Sequence, residues 1–298
     1  METFSIENAH LKAVFLNYGA ILHQLWVKDK FGVLTNVIQG LKHPEDYLED
    51  QWARGAVVGR FAGRLENPIK IQETPLEIDH EKGVLLHSGS SGWHKKFWTP
   101  LSQEKKDSIT FEYLCPEGSS GFPGSVHAQV TYCLEASSLC IHYRAIPTKT
   151  THINLTNHAY FNLSPAHSLG NQRLKINADY FLELKENLVP TGVKLPLAHT
   201  KFDFRKEKEL GSIRLDDYFI INPNSNEIAA LYAPDTGIKM KTFTDQPGVV
   251  VFTPPHFEAL CFETQKFSNT PNIPSFPTTL VQAATEYSHQ TRFEFSLV

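Results

Sequence analysis

The 298-residue chain is 41% hydrophobic and 20% charged, with 17 glycines and 18 prolines: enough apolar sequence for a substantial core, and too little bias for a disordered, collagenous or low-complexity chain. Its 28 Lys and Arg against 32 Asp and Glu give a net charge of −4, so no basic field exists to hold a phosphate backbone and no nucleic-acid partner is expected. No apolar run reaches the roughly 18 residues of a membrane span, and METFSIENAH lacks the basic and apolar regions of a signal peptide, so a cytoplasmic protein without a membrane partner is expected.

The first pattern along the chain, LKAVFLNYGAILHQLWV (11–27), mixes β-branched and aromatic residues around a glycine, and KDKFG then turns into VLTNVI. HPEDYLEDQ (43–51) carries the strongest helix signal, a proline near its start and acids in its first turn; about two turns of surface helix are expected. Strand-like runs then recur between turn residues: DSITFEYL, SVHAQVTYCLE, SLCIHYRAI, LKINADYFLEL, DYFIIN, IAALYA, IKMKTFT, GVVVFTPP and TRFEFSLV. The spacing predicts an all-β sandwich rather than βαβ units. No linker or fixed-period repeat divides the chain, so one domain over 1–298 is the simplest organisation.

Residues 150–172 contain no Asp, Glu, Lys or Arg, yet hold His152, His158 and His167 with Asn154, Asn157 and Asn162, a composition suited to a buried strand and loop rich in hydrogen-bonding groups. Asn154 and Asn162 begin N-x-[ST] patterns, which a chain outside the secretory pathway leaves unglycosylated. Cys115, Cys133, Cys140 and Cys261 are widely spaced with no C-x-x-C pair, and are expected to be reduced core thiols.

Several chemistries lack their motifs. No G-x-G and no phosphate loop is present, so no nucleotide cofactor is expected. HEKGV begins like a zincin helix, but Val84 stands where the second histidine belongs, and no metal is expected. The serine-rich turns lack the G-x-S-x-G elbow of a serine nucleophile. What remains is His, Asp, Glu and Arg scattered among aromatics, a pattern that fits a sugar site worked by an acid and a base on opposite sides of the substrate.

The segments TNHAYFNL (156–163) and FETQKFSNTPNIPSFPTTLV (262–281) resemble the signatures of the aldose 1-epimerase (galactose mutarotase) family. NYGA, VVGRFAGR, LLHSG, GFPG, NLVPTG, FDFR, LDDYF and TDQPG follow in the family's order, so the resemblance covers nearly the whole chain. It implies a large antiparallel β-sandwich, acting as a monomer or homodimer, that interconverts the α and β anomers of free aldohexoses such as galactose and glucose without a cofactor. It makes His158 the acid that protonates the ring oxygen, and Glu263 the base that takes the anomeric hydroxyl proton. Both are expected to be poised near neutral pH, the glutamate raised by desolvation. Otherwise His158 is a core histidine held by Asn157, and Glu263 a strand-end surface carboxylate.

His87, from LLHSG, matches a histidine that steadies the anomeric region, and Arg64 matches a substrate-binding arginine, with Arg60 structural. Asp216 matches an acid that accepts from sugar hydroxyls; Asp217 is the one-residue slip and would face the other side of a strand. Four places depart from the family pattern: Gly63 replaces an Asn, Val84 another Asn, Ser88 a Gly, and FTPPHF (252–257) a polar turn. These changes bear on hydroxyl recognition and so on sugar preference. Trp93 and Phe257 are stacking candidates more readily assigned to the core, and Lys95 and Lys96 are expected to form a solvated face. The alternatives are an anomeric epimerase of a phosphorylated or modified sugar, needing a basic pocket from Arg54, Arg60, Lys95 and Lys96, and a noncatalytic sugar-binding relative.

Overall fold

Alternation with a period of two sets the inner face of each long strand. In Val126–Glu135 the residues Val126, Ala128, Val130, Tyr132 and Leu134 are buried while their neighbours face outward, and Tyr287–Leu297 repeats the pattern. A computed structural model describes residues 1–71, 74–101, 105–165, 168–223 and 225–298; His167 lies outside the described residues.

These strands belong to a nine-stranded sheet in the order Thr99–Pro100, Ser108–Cys115, Val126–Glu135, Ser138–Pro147, Tyr287–Leu297, Ile238–Thr244, Ala229–Tyr232, Arg173–Ile176 and Lys208–Glu209. A six-stranded sheet runs Tyr160–Phe161, Leu260–Gln265, Gly248–Phe252, Asp216–Ile221, Ala178–Leu184 and Pro190–Pro196. The four N-terminal strands, from Thr3 to Asn36, form a third sheet in sequence order. Every ladder in these sheets is antiparallel.

The two smaller sheets pack on the large one: Phe161 lies 4.8 Å from Phe293, and Phe15 lies 4.5 Å from Tyr132, between ring centroids. One apolar cluster runs from Ile6 to Phe295 and joins all three sheets, as the β-sandwich expectation requires. Among the described residues the helical segments are short 3₁₀ turns, and none is long and apolar enough to cross a membrane.

Two expectations change, and the paired asparagines find their role. The helix at 43–51 is a 3₁₀ segment, Pro44–Glu49, whose N-cap His43 makes no side-chain cap. With one end uncapped and little more than a turn of length, an α-helix has too few internal bonds to offset nucleation. The cysteines are free, but Cys133 is not a core thiol: it sits half-buried at an outward-facing position of Val126–Glu135. Asn154 and Asn162 are buried ties between segments. Asn154 Oδ1 accepts from Lys266 N–H and its Nδ2 donates to Ala62 O, while Asn162 Nδ2 donates to Glu258 O.

Candidate active site

The strand Leu260–Gln265 is buried on both faces. Leu260 and Phe262 enter the sandwich core, so Cys261, Glu263 and Gln265 point to the opposite face, where loops cover them. Tyr160 pairs with Cys261 across the ladder. Continuing that antiparallel register by two residues sets His158 across from Glu263. Their side chains meet, with Nε2 3.4 Å from Oε1, and both are almost fully buried.

The backbone of His158 is satisfied by neighbours other than Asn157. His158 N–H donates to Ala56 O, and its carbonyl accepts from Gly55 N–H. Asn157 instead donates to Gly55 O and Tyr132 Oη and accepts from Ala159 N–H, holding the turn rather than the imidazole. The ring is left free to face the cavity, with Nδ1 3.3 Å from Cys261 Sγ. His158 and Glu263 are therefore adjacent, rather than on opposite sides of the cavity. This suits a hemiacetal, whose two reacting oxygens share one carbon.

His87 is presented by a turn in which His87 (φ +50), Ser88 (φ +62) and Gly89 (φ +59) are successively left-handed, a conformation that costs the two non-glycine residues. Ser88 offsets part of this cost: its Oγ accepts from Phe61 N–H at 2.9 Å. Gly63 N–H donates to His87 Nδ1 at 3.1 Å, and because a backbone amide can only donate, the neutral ring must carry its proton on Nε2. Burial, then the nearby His158, His94 and Arg64, hold His87 well below the ordinary histidine range. It is a neutral hydrogen-bond donor.

Arg64 opens the short strand Arg64–Glu66 and pairs with Leu86, which brings it beside His87. Its Nη2 donates to Asp216 Oδ2 at 3.3 Å, with both side chains partly exposed. Asp216 lies opposite Phe252 on the six-stranded sheet and shares its face with Tyr218. Asp217 falls on the Phe219 face, away from the cavity, accepts from Asp216 N–H, and is pushed up to about 6 by burial. His158, Glu263, His87, Arg64 and Asp216 thus line one cavity of about 250 Å³, below the roughly 300–1,000 Å³ of drug-sized sites and suited to a small polar ligand.

Burial sets the charge of the central pair. Glu263 is pushed up to about 8, chiefly by desolvation and then by Asp216, with Arg64 pulling the other way. His158 is pulled down to about 4 by desolvation, farther from neutrality than expected. Both shifts favour the uncharged forms, a protonated Glu263 beside a neutral His158.

His87, His158 and Glu263 offer ligand atoms within 4.8 Å of one another, enough to bring a metal ion to mind. The Gly63 amide argues against it: it occupies the Nδ1 lone pair and leaves a proton, not a lone pair, on Nε2.

Other residues sit apart from their expected places. Arg60 is fully buried, donating to the carbonyls of Pro123, Pro116 and Gly124, and ties down the GFPG loop. Trp93 is core, edge-on to Trp98. Phe257 packs behind the cavity on Trp52 and Tyr160. Lys95 lines the cavity mouth rather than a purely solvated face, but Asp50 lines it too, and Arg54 pairs with Asp50 and lies over Phe257. No basic pocket forms from Arg54, Arg60, Lys95 and Lys96.

The sequence alone did not single out Trp52, Tyr160 and Asp50, which line the cavity together with Phe252, the first residue of the FTPPHF segment; Trp52 stacks on Phe252 at 6.2 Å. The 3₁₀ excursion delivers Asp50 and Trp52. At Gly63 (φ +80) an added Cβ would lie 2.0 Å from Ser268 Oγ, so that hydroxyl fills the space a larger side chain would take.

A family model described as Aldose 1-epimerase matches residues 2–294. Galactose mutarotase from Mus musculus is 35% identical over 100% of this chain and 94% of its own, and aldose 1-epimerase from Escherichia coli K12 is 27% identical over 97% and 93%. Among solved structures, the GalM/aldose epimerase homologue from C. elegans superposes with a TM-score of 0.95 at 25% identity, covering 100% of this chain and 99% of that one. Galactose 1-epimerase from Lactobacillus acidophilus superposes with a TM-score of 0.88 at 24% identity, over 98% and 93%.

Proposed function

We propose that this chain, which belongs to the aldose 1-epimerase family and is an isomerase, interconverts the α and β anomers of a free aldohexose of the galactose or glucose type. The observation that carries this reading is the buried His158–Glu263 contact at 3.4 Å, beside the Arg64–Asp216 pair.

The sugar binds with its anomeric carbon over that pair. Arg64 and Asp216 supply a donor fork and an acceptor for neighbouring hydroxyls, while Trp52 and Phe252 wall one side of the cavity. The single proton crosses from Glu263 to His158 Nε2, and Arg64 favours the carboxylate so formed. Glu263 then takes the proton of the anomeric hydroxyl as His158 delivers one to the ring oxygen. The C1–ring oxygen bond breaks and the C1 carbonyl forms. His87 Nε2–H donates to the oxygen on which charge builds, a neutral donor that costs no proton.

Rotation about C1–C2 turns the other carbonyl face to the freed hydroxyl. Reclosure reverses the transfers: His158 removes the hydroxyl proton, and Glu263 returns one to the carbonyl oxygen. Reclosure leaves the proton on His158, and its return to Glu263 restores the resting pair. The continuous core supports the whole chain acting as one catalytic domain.

Polarimetry of freshly dissolved α-galactose and α-glucose tests this. Wild type is expected to speed equilibration, also in the presence of chelator, and His158→Asn or Glu263→Gln to lose roughly 10²- to 10⁴-fold each. Spontaneous rates with wild type would refute the reading, and rapid exchange confined to phosphorylated sugars would replace it with the phosphosugar alternative.

A further inference from the structure

The outer face of the nine-stranded sheet carries a second cluster of ligand-type side chains, away from the catalytic cavity. Val126–Glu135 turns its even-numbered residues into the core, so Cys133 and Glu135 face outward. Ser138–Pro147 buries Leu139, Ile141 and Tyr143 in the core cluster, so Cys140 and His142 face outward as well. The ladder register sets Cys133 directly opposite Cys140, with His142 opposite Thr131, one step further along the same face.

The two strands are joined by a tight turn at residues 136–137, and Asn8 Nδ2 donates to Ala136 O to brace it. Cys133 Sγ, Cys140 Sγ and a Glu135 carboxylate oxygen all lie within 4.8 Å of one another. His142 is the diagonal cross-strand neighbour of Cys133 on this face. A cavity of about 550 Å³ opens over Glu135, Cys140 and His142, so an ion can reach them.

We propose that Cys133, Cys140 and Glu135, with His142 as fourth ligand, form a binding site for a borderline-soft divalent cation of the zinc type. Tetrahedral zinc, with sulfur at about 2.3 Å and oxygen or nitrogen at about 2.0 Å, sets its ligand atoms roughly 3.3–3.8 Å apart, which these side chains reach by rotamer adjustment on a fixed hairpin. The donor set of two thiols, a carboxylate and an imidazole selects zinc over hard cations. The nearest fixed cation is Arg292, opposite Cys140; its guanidinium is paired with Glu294 and lies over the Phe243 ring, so its charge is already met.

The test uses the full chain, reduced and freed of metal, titrated with Co²⁺ alone and then with Zn²⁺ alone. A thiolate-to-cobalt charge-transfer band saturating at one equivalent and bleached by zinc is expected. Glu135→Gln and His142→Ala should weaken binding at least tenfold, and Cys133→Ser/Cys140→Ser should abolish the band, with anomer exchange unchanged in all of them. Absence of the band in wild type overturns the proposal. So does an undiminished band in the double serine variant, which would place the metal on another thiol. Should the double variant fail to fold, the affinities of the Glu135→Gln and His142→Ala proteins decide instead: wild-type affinity in both overturns the proposal.

Discussion

Replacing Glu263 with Gln is expected to cost activity and add stability, and the gain should depend on pH. The carboxyl is 3% exposed and pushed from 4.5 up to about 8, while in the unfolded chain it regains its ordinary value. Between these values the native state holds a proton that the unfolded state has lost, so the native state binds more protons and stability falls as pH rises through this window. At about 1.4 kcal/mol per unit the penalty approaches about 5 kcal/mol above pH 8 and vanishes below pH 4.5. Gln has nearly the same shape and never ionises, so it escapes the penalty. Denaturant unfolding of both proteins at pH 5 and pH 9 measures the difference: about 1 kcal/mol or less at pH 5, several kcal/mol in favour of the variant at pH 9. A difference independent of pH, or a variant less stable at pH 9, would refute the reasoning.

The same groups set the pH dependence of catalysis: kcat/KM is expected to be bell-shaped, falling as the pair gains a second proton near pH 4 and as it loses its only one near pH 8, read by polarimetry across buffers. Gly63→Asn should destabilise by about 1–3 kcal/mol through its clash with Ser268 Oγ, and Gly63→Asn/Ser268→Gly should recover most of that loss in thermal melts. Arg60→Met strands the carbonyls of Pro116, Pro123 and Gly124 and should cost about 3 kcal/mol or more by denaturant unfolding, an expectation that a near-neutral variant would overturn. On the proposed mechanism Arg64 holds hydroxyls rather than moving protons, so Arg64→Met should raise KM for galactose more than it lowers kcat.

The strands were legible because a half-buried strand writes its two faces into the sequence, residue by residue, as Val126 to Leu134 does. The segments TNHAYFNL and ETQ pointed to a family and a pair of groups before any distance was known. Less visible was the run from Asp50 to Trp52, whose local signal is a weak helix but whose place is the cavity wall. Cys133 reads like the other cysteines, yet strand parity turns it outward.

The amino-acid sequence by itself thus determined the β architecture, the order of its strands along the chain and the chemical kinds of side chain available for proton transfer. Only the tertiary structure decided that the register of Tyr160 with Cys261 brings His158 onto Glu263, that Asp216 rather than Asp217 faces the cavity, and that Gly63 fixes the tautomer of His87. Face alternation is a local property, whereas pairing between distant strands and the loss of water around a carboxyl arise only when separate segments close on one another. The reactivity of the His158–Glu263 pair depends on that closure.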